Sequence, residues 1–166
     1  MHLFFAVLAA PDAPLDELKR RLEVEFSPIV HAMAPYSFHE MAYYETEMGE
    51  GLFKSIWFCE KSINPEELVT IKLHTNHLEK VYSTKKGRSL NIDPGYMHLA
   101  RVVLATGKDN AHRIYVGQGL YEEITLLYRR NHGFEPLPWT YPDYRREDVL
   151  HFFDDVRRSF HEQEKG

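Results

Sequence analysis

The sequence predicts a single α+β domain over residues 1–166: a ferredoxin-like βαββαβ core extended by a C-terminal β-hairpin and a terminal helix. Three observations predict it. A continuous apolar run, Leu3 to Ala9, has the pattern of a buried central strand. Two amphipathic helical stretches then alternate with strand-like runs in the order strand, helix, strand, strand, helix, strand. No internal repeat, linker or low-complexity tract interrupts the 166 residues, a length that suits one core.

Pro11, Asp12 and Pro14 end the first strand, and Pro14 suits the first turn of a helix. Leu15, Leu18, Leu22 and Phe26 share one face of that helix, which Ser27-Pro28 stops. Ile29 to Met33 and Ser55 to Cys59 read as strands. The connection between them, PYSFHEMAYYETEMGEG, has the length of a functional lid or of an extended hairpin with an acidic tip. Asn64-Pro65-Glu66-Glu67 opens the second helix with a capping-box-like pattern. Leu68, Ile71, Thr75, Leu78 and Tyr82 make its inner face. The basic turn Lys85-Lys86-Gly87-Arg88 follows, where the helix dipole favours cations.

Ser89–Ile92 completes the βαββαβ unit. Asp93-Pro94-Gly95 then reads as punctuation, with Asp93 capping a short helix through Met97, Ala100, Val103 and Leu104. Val102 to Leu104 also fits a strand. Arg113–Val116 and Glu123–Arg129 are strands, joined through Gly117-Gln118-Gly119. Alternation puts Ile124, Leu126 and Tyr128 on one side and Glu123, Thr125 and Leu127 on the other. Phe134 to Pro138 pairs as an edge, and Val149, Phe152, Phe153, Val156 and Phe160 form the stripe of the terminal helix. The tail from His161 to Gly166 reads as frayed.

The net charge of −5 argues against non-specific nucleic-acid binding, which needs a basic field. The single cysteine, Cys59, permits no internal disulfide and no cysteine-based zinc site. No apolar run reaches membrane-spanning length, and the opening MHLFFAVLAA lacks the basic flank of a signal peptide. A cytoplasmic protein is the expectation.

There is no G-x-x-x-x-G-K-[ST] phosphate loop, no G-x-G-x-x-G after a strand and no H-E-x-x-H. His74 and His77 have a metal-compatible spacing but no third ligand nearby, so a solvated helix flank is the better reading. Thr106 to Arg113 is richer. Lys108 and Arg113 suit a phosphate or carboxylate, and His112 suits proton transfer near neutral pH. Asp93 is either a cap or a strand-end carboxylate. Glu123, if it faces inward with Thr125, needs a partner, and Arg113 is the nearest candidate.

Four strings, YYETEMG (43–49), IKLHTNHLE (71–79), NIDPGYMHLARVVLATGKDNAHRIYVGQGLYEEITLLY (91–128) and WTYPDYR (139–145), resemble a prokaryotic family catalogued as a domain of unknown function. Some of its members carry the label "GTP-binding protein". The resemblance covers nearly the whole chain and implies that Tyr44, Glu47, Asp93, Tyr96, Lys108, His112, Arg113, Glu123, Thr125, Tyr141 and Asp143 matter. A nucleotide here would be held without the phosphate loop or an Asn-Lys-x-Asp guanine clamp, since neither is present.

The functional expectation is a small enzyme or binding protein for a phosphorylated or anionic small molecule, a nucleotide among the candidates. Asp93, His112 and Glu123 would be catalytic. Tyr44, Glu47, Tyr96, Lys108, Arg113, Thr125, Tyr141 and Asp143 would bind the ligand. No residue is assigned to a metal, and Mg²⁺ is the one cofactor considered. The alternative is an RNA- or protein-binding module on the sheet, and the aromatic edge and apolar terminal helix suit a homodimer.

Overall fold

The structure is a computed structural model that describes residues 1–85 and 87–163. Lys86 of the basic turn and Glu164 to Gly166 of the expected frayed tail lie outside the described residues.

Among the described residues, nine strands form one antiparallel sheet and four α-helices accompany it. The strands are β1 (His2–Ala9), β2 (Ile29–Ala32), β3 (Tyr36–Ser37), β4 (Phe53–Ser62) and β5 (Leu90–His98), then β6 (Arg101–Thr106), β7 (Ile114–Gly117), β8 (Leu120–Arg129) and β9 (Gly133–Pro136). The helices are α1 (Leu15–Glu25), α2 (Ala42–Met48), α3 (Glu67–Val81) and α4 (Glu147–Gln163), with a 3-10 turn at Pro142–Arg145. The sheet runs β2-β4-β1-β5-β6-β8-β7, with β3 also on β4 and β9 also on β8.

β1 is central, and its two faces feed two cores. Leu3, Phe5, Val7 and Ala9 pack under α1 and α3 against Leu18, Leu22, Leu68 and Leu78. Phe4 and Ala6 point the other way, toward Val149, Phe153, Val156 and Phe160 of α4. The rings of Phe4 and Phe153 meet edge to face at 5.4 Å, and His2 stacks on Phe160 at 3.7 Å. Burying two apolar faces explains why β1 is a continuous apolar run and not an alternating one. A third, smaller cluster joins Leu8, Ala10, Phe38 and Leu52 to Met48 of α2.

The structure corrects three expectations. Residues 94–105 are not helical: β5 runs straight through Asp93-Pro94-Gly95 to His98, and β6 returns from Arg101. Asp93 is therefore a strand residue and not a helix cap. The physical reason is packing. Gly95 lies where a Cβ would stand 2.5 Å from both Phe4 Cζ and the Val103 carbonyl oxygen. The glycine thus marks a close approach inside the sheet, as strand glycines often do.

Second, the 35–51 connection is not an extended hairpin, because it contains β3 and α2. Third, β8 does not alternate simply. Val102 faces Leu126 while Val103 faces Ile124, so Thr125 is an extra residue in a bulge. Val102 and Leu126 join the α4 core, whereas Val103 belongs to the core under α1 and α3. Ile124 and Leu126, which alternation puts on one side, are thus on opposite sides. Glu123, opposite Leu104, shares the α4 side with Leu126.

Candidate functional site

β5 forks away from β6. β1 pairs β5 along its whole length, from His2↔Met97 to Ala9↔Leu90. β6 pairs β5 only from His98↔Arg101 to Gly95↔Leu104, then continues along β8 alone through Ala105↔Glu122 and Thr106↔Tyr121. Pro94, the next residue of β5, has no N–H to offer either neighbour. Past it the β5 backbone still needs partners, and α3 supplies them. Glu79 accepts the Ile92 N–H at 2.7 Å, and Lys72 donates to the Ile92 carbonyl at 3.1 Å. This accounts for a lysine and a glutamate on the inner face of α3, both under a tenth exposed.

A cleft of about 370 Å³ opens at the fork. Asn91 and Asp93 of β5 form one wall, and the chain from Leu104 to Lys108 forms the other. Tyr43, Tyr44 and Glu47 of α2 lean over it, and Tyr141 and Glu123 complete it. Of the eleven residues implied at the outset, Tyr44, Glu47, Asp93, Lys108, Glu123 and Tyr141 line this one cavity.

Its charges are closely matched. Asp93 accepts from Lys72 at 3.0 Å and from the Asn91 side-chain amide at 2.8 Å. Burial opposes ionisation of Asp93, but the ammonium groups of Lys72 and Lys54, with those hydrogen bonds, outweigh it and hold the carboxyl below its usual range. Arg88 donates to Glu79 at 3.1 Å, to Asn91 at 3.0 Å and to Glu47 at 2.8 Å. Burial nonetheless pushes the Glu79 carboxyl up. Burial and the nearby Asp93 charge push the Tyr44 hydroxyl far above its ordinary value. Lys108 differs from the other cleft cations. It reaches the Tyr43 hydroxyl at 3.2 Å, and among the described residues no carboxylate lies within ion-pair distance of it.

Behind the cleft, Arg113 organises the floor. It donates to Glu123 at 2.7 Å, to the Lys108 carbonyl at 2.8 Å and to the Tyr141 hydroxyl at 2.9 Å. Its side chain is only 5% exposed, so it positions groups and does not itself face the cavity. His112 meets the same Glu123 oxygen at 2.9 Å but stacks on Trp139 at 5.3 Å, beside a separate groove. Thr125, buried in the bulge, approaches Glu123 at 3.4 Å. Tyr96 pairs across from Leu3 and lies on the α1 and α3 side, away from the cleft. Asp143 is buried below it, bonded to Lys54 and to the Tyr36 hydroxyl at 3.3 Å.

Sequence reasoning overlooked Lys54, Lys72, Glu79, Arg88 and Asn91. Lys72 and Glu79 left a signal, because they fall seven apart beside Ile71 and Leu78, on the face that pattern marks as inner. A cation at Arg88 is also what the dipole of the preceding helix favours, so the sequence gives it no mark of a site. His74 pairs with Glu25 at 2.6 Å, and His77 is exposed, as a polar flank requires.

Among the described residues no three His, Cys, Asp or Glu side chains converge as a metal shell. The carboxylates of Asp93, Glu79 and Glu123 are each engaged by a lysine or an arginine. The donor set does not fit a protein-held Mg²⁺. No helix among the described residues is long and apolar enough to cross a membrane.

The family model described as a domain of unknown function, DUF4416, covers residues 1–160. No curated protein and no solved structure matches the chain.

Proposed function

The chain belongs to the DUF4416 family, and for it we propose binding of a small anionic molecule of the nucleotide class in the cleft at the β5–β6 fork. The observation that carries this reading is convergence. Side chains from α2, α3, β5, the β6 end, β8 and the 139–145 segment line one cavity, although long stretches of sequence separate them. Lys108 supplies a cation unmatched by any carboxylate among the described residues. Tyr43 and Tyr44, with ring centroids 4.1 Å apart, supply an aromatic surface of the kind on which bases stack. Of the carboxylates that line the cleft, Glu47 and Glu79 are both bonded to Arg88, and acid–base chemistry would fall to Asp93 and Glu123, with His112 reaching it only through Glu123.

The test is a thermal-shift panel of nucleotides and sugar phosphates. A ligand at about a hundred times its dissociation constant adds roughly 2.7 kcal/mol. The expected result is a clear shift with one class that Lys108→Ala abolishes. A flat response to the whole panel would overturn the reading.

One observation favours a second reading, an RNA- or protein-binding module. At the β7 edge Ile114 is 72% and Tyr115 60% exposed, and Trp139 stands out beside them. A homodimer would use this same edge. We also read β1-α1-β2-β4-α3-β5 as ferredoxin-like, on the strand order β2-β4-β1-β5. A cytoplasmic setting belongs to the proposal, since the lone Cys59 is buried and forms no disulfide.

A further inference from the structure

Beneath the cleft lies a chamber of about 30 Å³, enough for roughly one or two water-sized groups. It shares Tyr44, Asn91, Asp93 and Tyr141 with the cleft and so forms its inner end. Lys54, Asp143 and Tyr144 close it off, each less than a tenth exposed. Lys54 pairs with Asp143 and stands 4.6 Å over the Tyr144 ring.

At this closed end one polar group lacks a partner and a second has donors to spare. The Tyr144 hydroxyl is buried and, among the described residues, makes no hydrogen bond. The Lys54 ammonium has three donors, and among the described residues only Asp143 accepts one. Buried polar groups are ordinarily satisfied, so the wall is built for an oxygen that neither α2 nor the sheet provides.

We propose that the chamber is a single-hydroxyl subsite: the ligand places an alcohol oxygen there while its anionic group stays outside at Lys108. This rests on reading the cleft as a ligand site, and it narrows the ligand to hydroxylated organic anions such as sugar phosphates and ribose-bearing nucleotides. Charge selects the hydroxyl. The ammonium groups of Lys54 and Lys72 match the two carboxylates around the chamber, Asp143 and Asp93, so no net positive charge is left to hold an anionic oxygen there. A neutral hydroxyl accepts from the Tyr144 hydroxyl, with Lys54 at its second lone pair, and donates a hydrogen bond to a carboxylate.

The test uses two probes of equal charge, glycerol 3-phosphate and propyl phosphate, titrated calorimetrically into the full chain and into Tyr144→Phe. That variant keeps the ring under Lys54 and deletes an unpaired hydroxyl, so its melting temperature should equal or exceed that of the unaltered chain. The expected result is that glycerol 3-phosphate binds about tenfold tighter than propyl phosphate, a preference of the size one or two hydrogen bonds confer. Tyr144→Phe should erase most of that preference and leave propyl phosphate binding unchanged. Equal binding of both phosphates, or a preference that survives Tyr144→Phe, would overturn the subsite and leave the cleft reading standing. Binding of neither phosphate would overturn both.

Discussion

Lys72 reaches Asp93 through the sheet. α3 packs on the face that carries Val7, yet Asp93, opposite Ala6, projects from the other face, and the two side chains meet at 3.0 Å. The contact exists only because β6 has left β5 at this point.

Lys72→Met should therefore cost about 3 kcal/mol in urea unfolding, because it strands a partly buried carboxylate and removes the donor to the Ile92 carbonyl. The pH dependence has a definite sign. Asp93 has a depressed folded pKa, so its contribution is present above the unfolded value near 3.8 and is lost as pH falls through the folded one. Acid unfolding curves of Lys72→Met should show a smaller step, since Lys54 and Asn91 still act on Asp93.

Glu79 has the opposite sign. Burial raises its folded pKa above the ordinary 4.5, so its contribution is full below 4.5 and declines as pH rises through the folded value. Glu79→Gln keeps an acceptor for the Ile92 N–H but does not titrate. The stability gap between the parent and Glu79→Gln should narrow as pH is raised from 4 upward, measured by denaturant midpoints at each pH. A gap that widens with pH would contradict this.

Gly95→Ala should cost about 3 kcal/mol or more, since the new methyl would overlap both the Phe4 ring and the Val103 carbonyl. Gly107→Ala, where a Cβ meets nothing within 4 Å, is the matched control and should shift the unfolding midpoint little.

Arg113→Met should destabilise by about 3 kcal/mol by removing the guanidinium that pairs with the buried Glu123 carboxylate. Lys108→Ala, at an exposed position, should stay within about 0.5 kcal/mol of the parent. Ligand titration would then separate the two: Lys108→Ala loses affinity without losing stability.

Much of the fold is legible in apolar periodicity. The run from Leu3 to Ala9 and the stripes of α1, α3 and α4 are long and strongly patterned, and those elements fall where the pattern puts them. The failures are local and share a cause. Asp93-Pro94-Gly95 has the chemistry of a turn, but tertiary contacts with β1 and the Phe4 ring keep it extended. Thr125 carries no mark of a bulge, because a bulge is set by pairing with β6 and not by its own residue type. At the candidate site, residues with unusual local chemistry, such as Lys108 and Glu123, stood out. Lys54 did not, because its partners Asp143 and Tyr144 lie far along the chain, in the 3-10 turn.

The central position of β1 bears on how the molecule is made. Its neighbours in the sheet are residues 53–62 and 90–98, and its second face is covered by residues 147–163. A chain leaving the ribosome would present Phe4 and Phe58 with no cover until Phe153 and Phe160 have emerged. So many contacts distant in sequence slow folding and prolong the time such surface stays open. During that interval a nascent chain of this kind is a natural client for a chaperone.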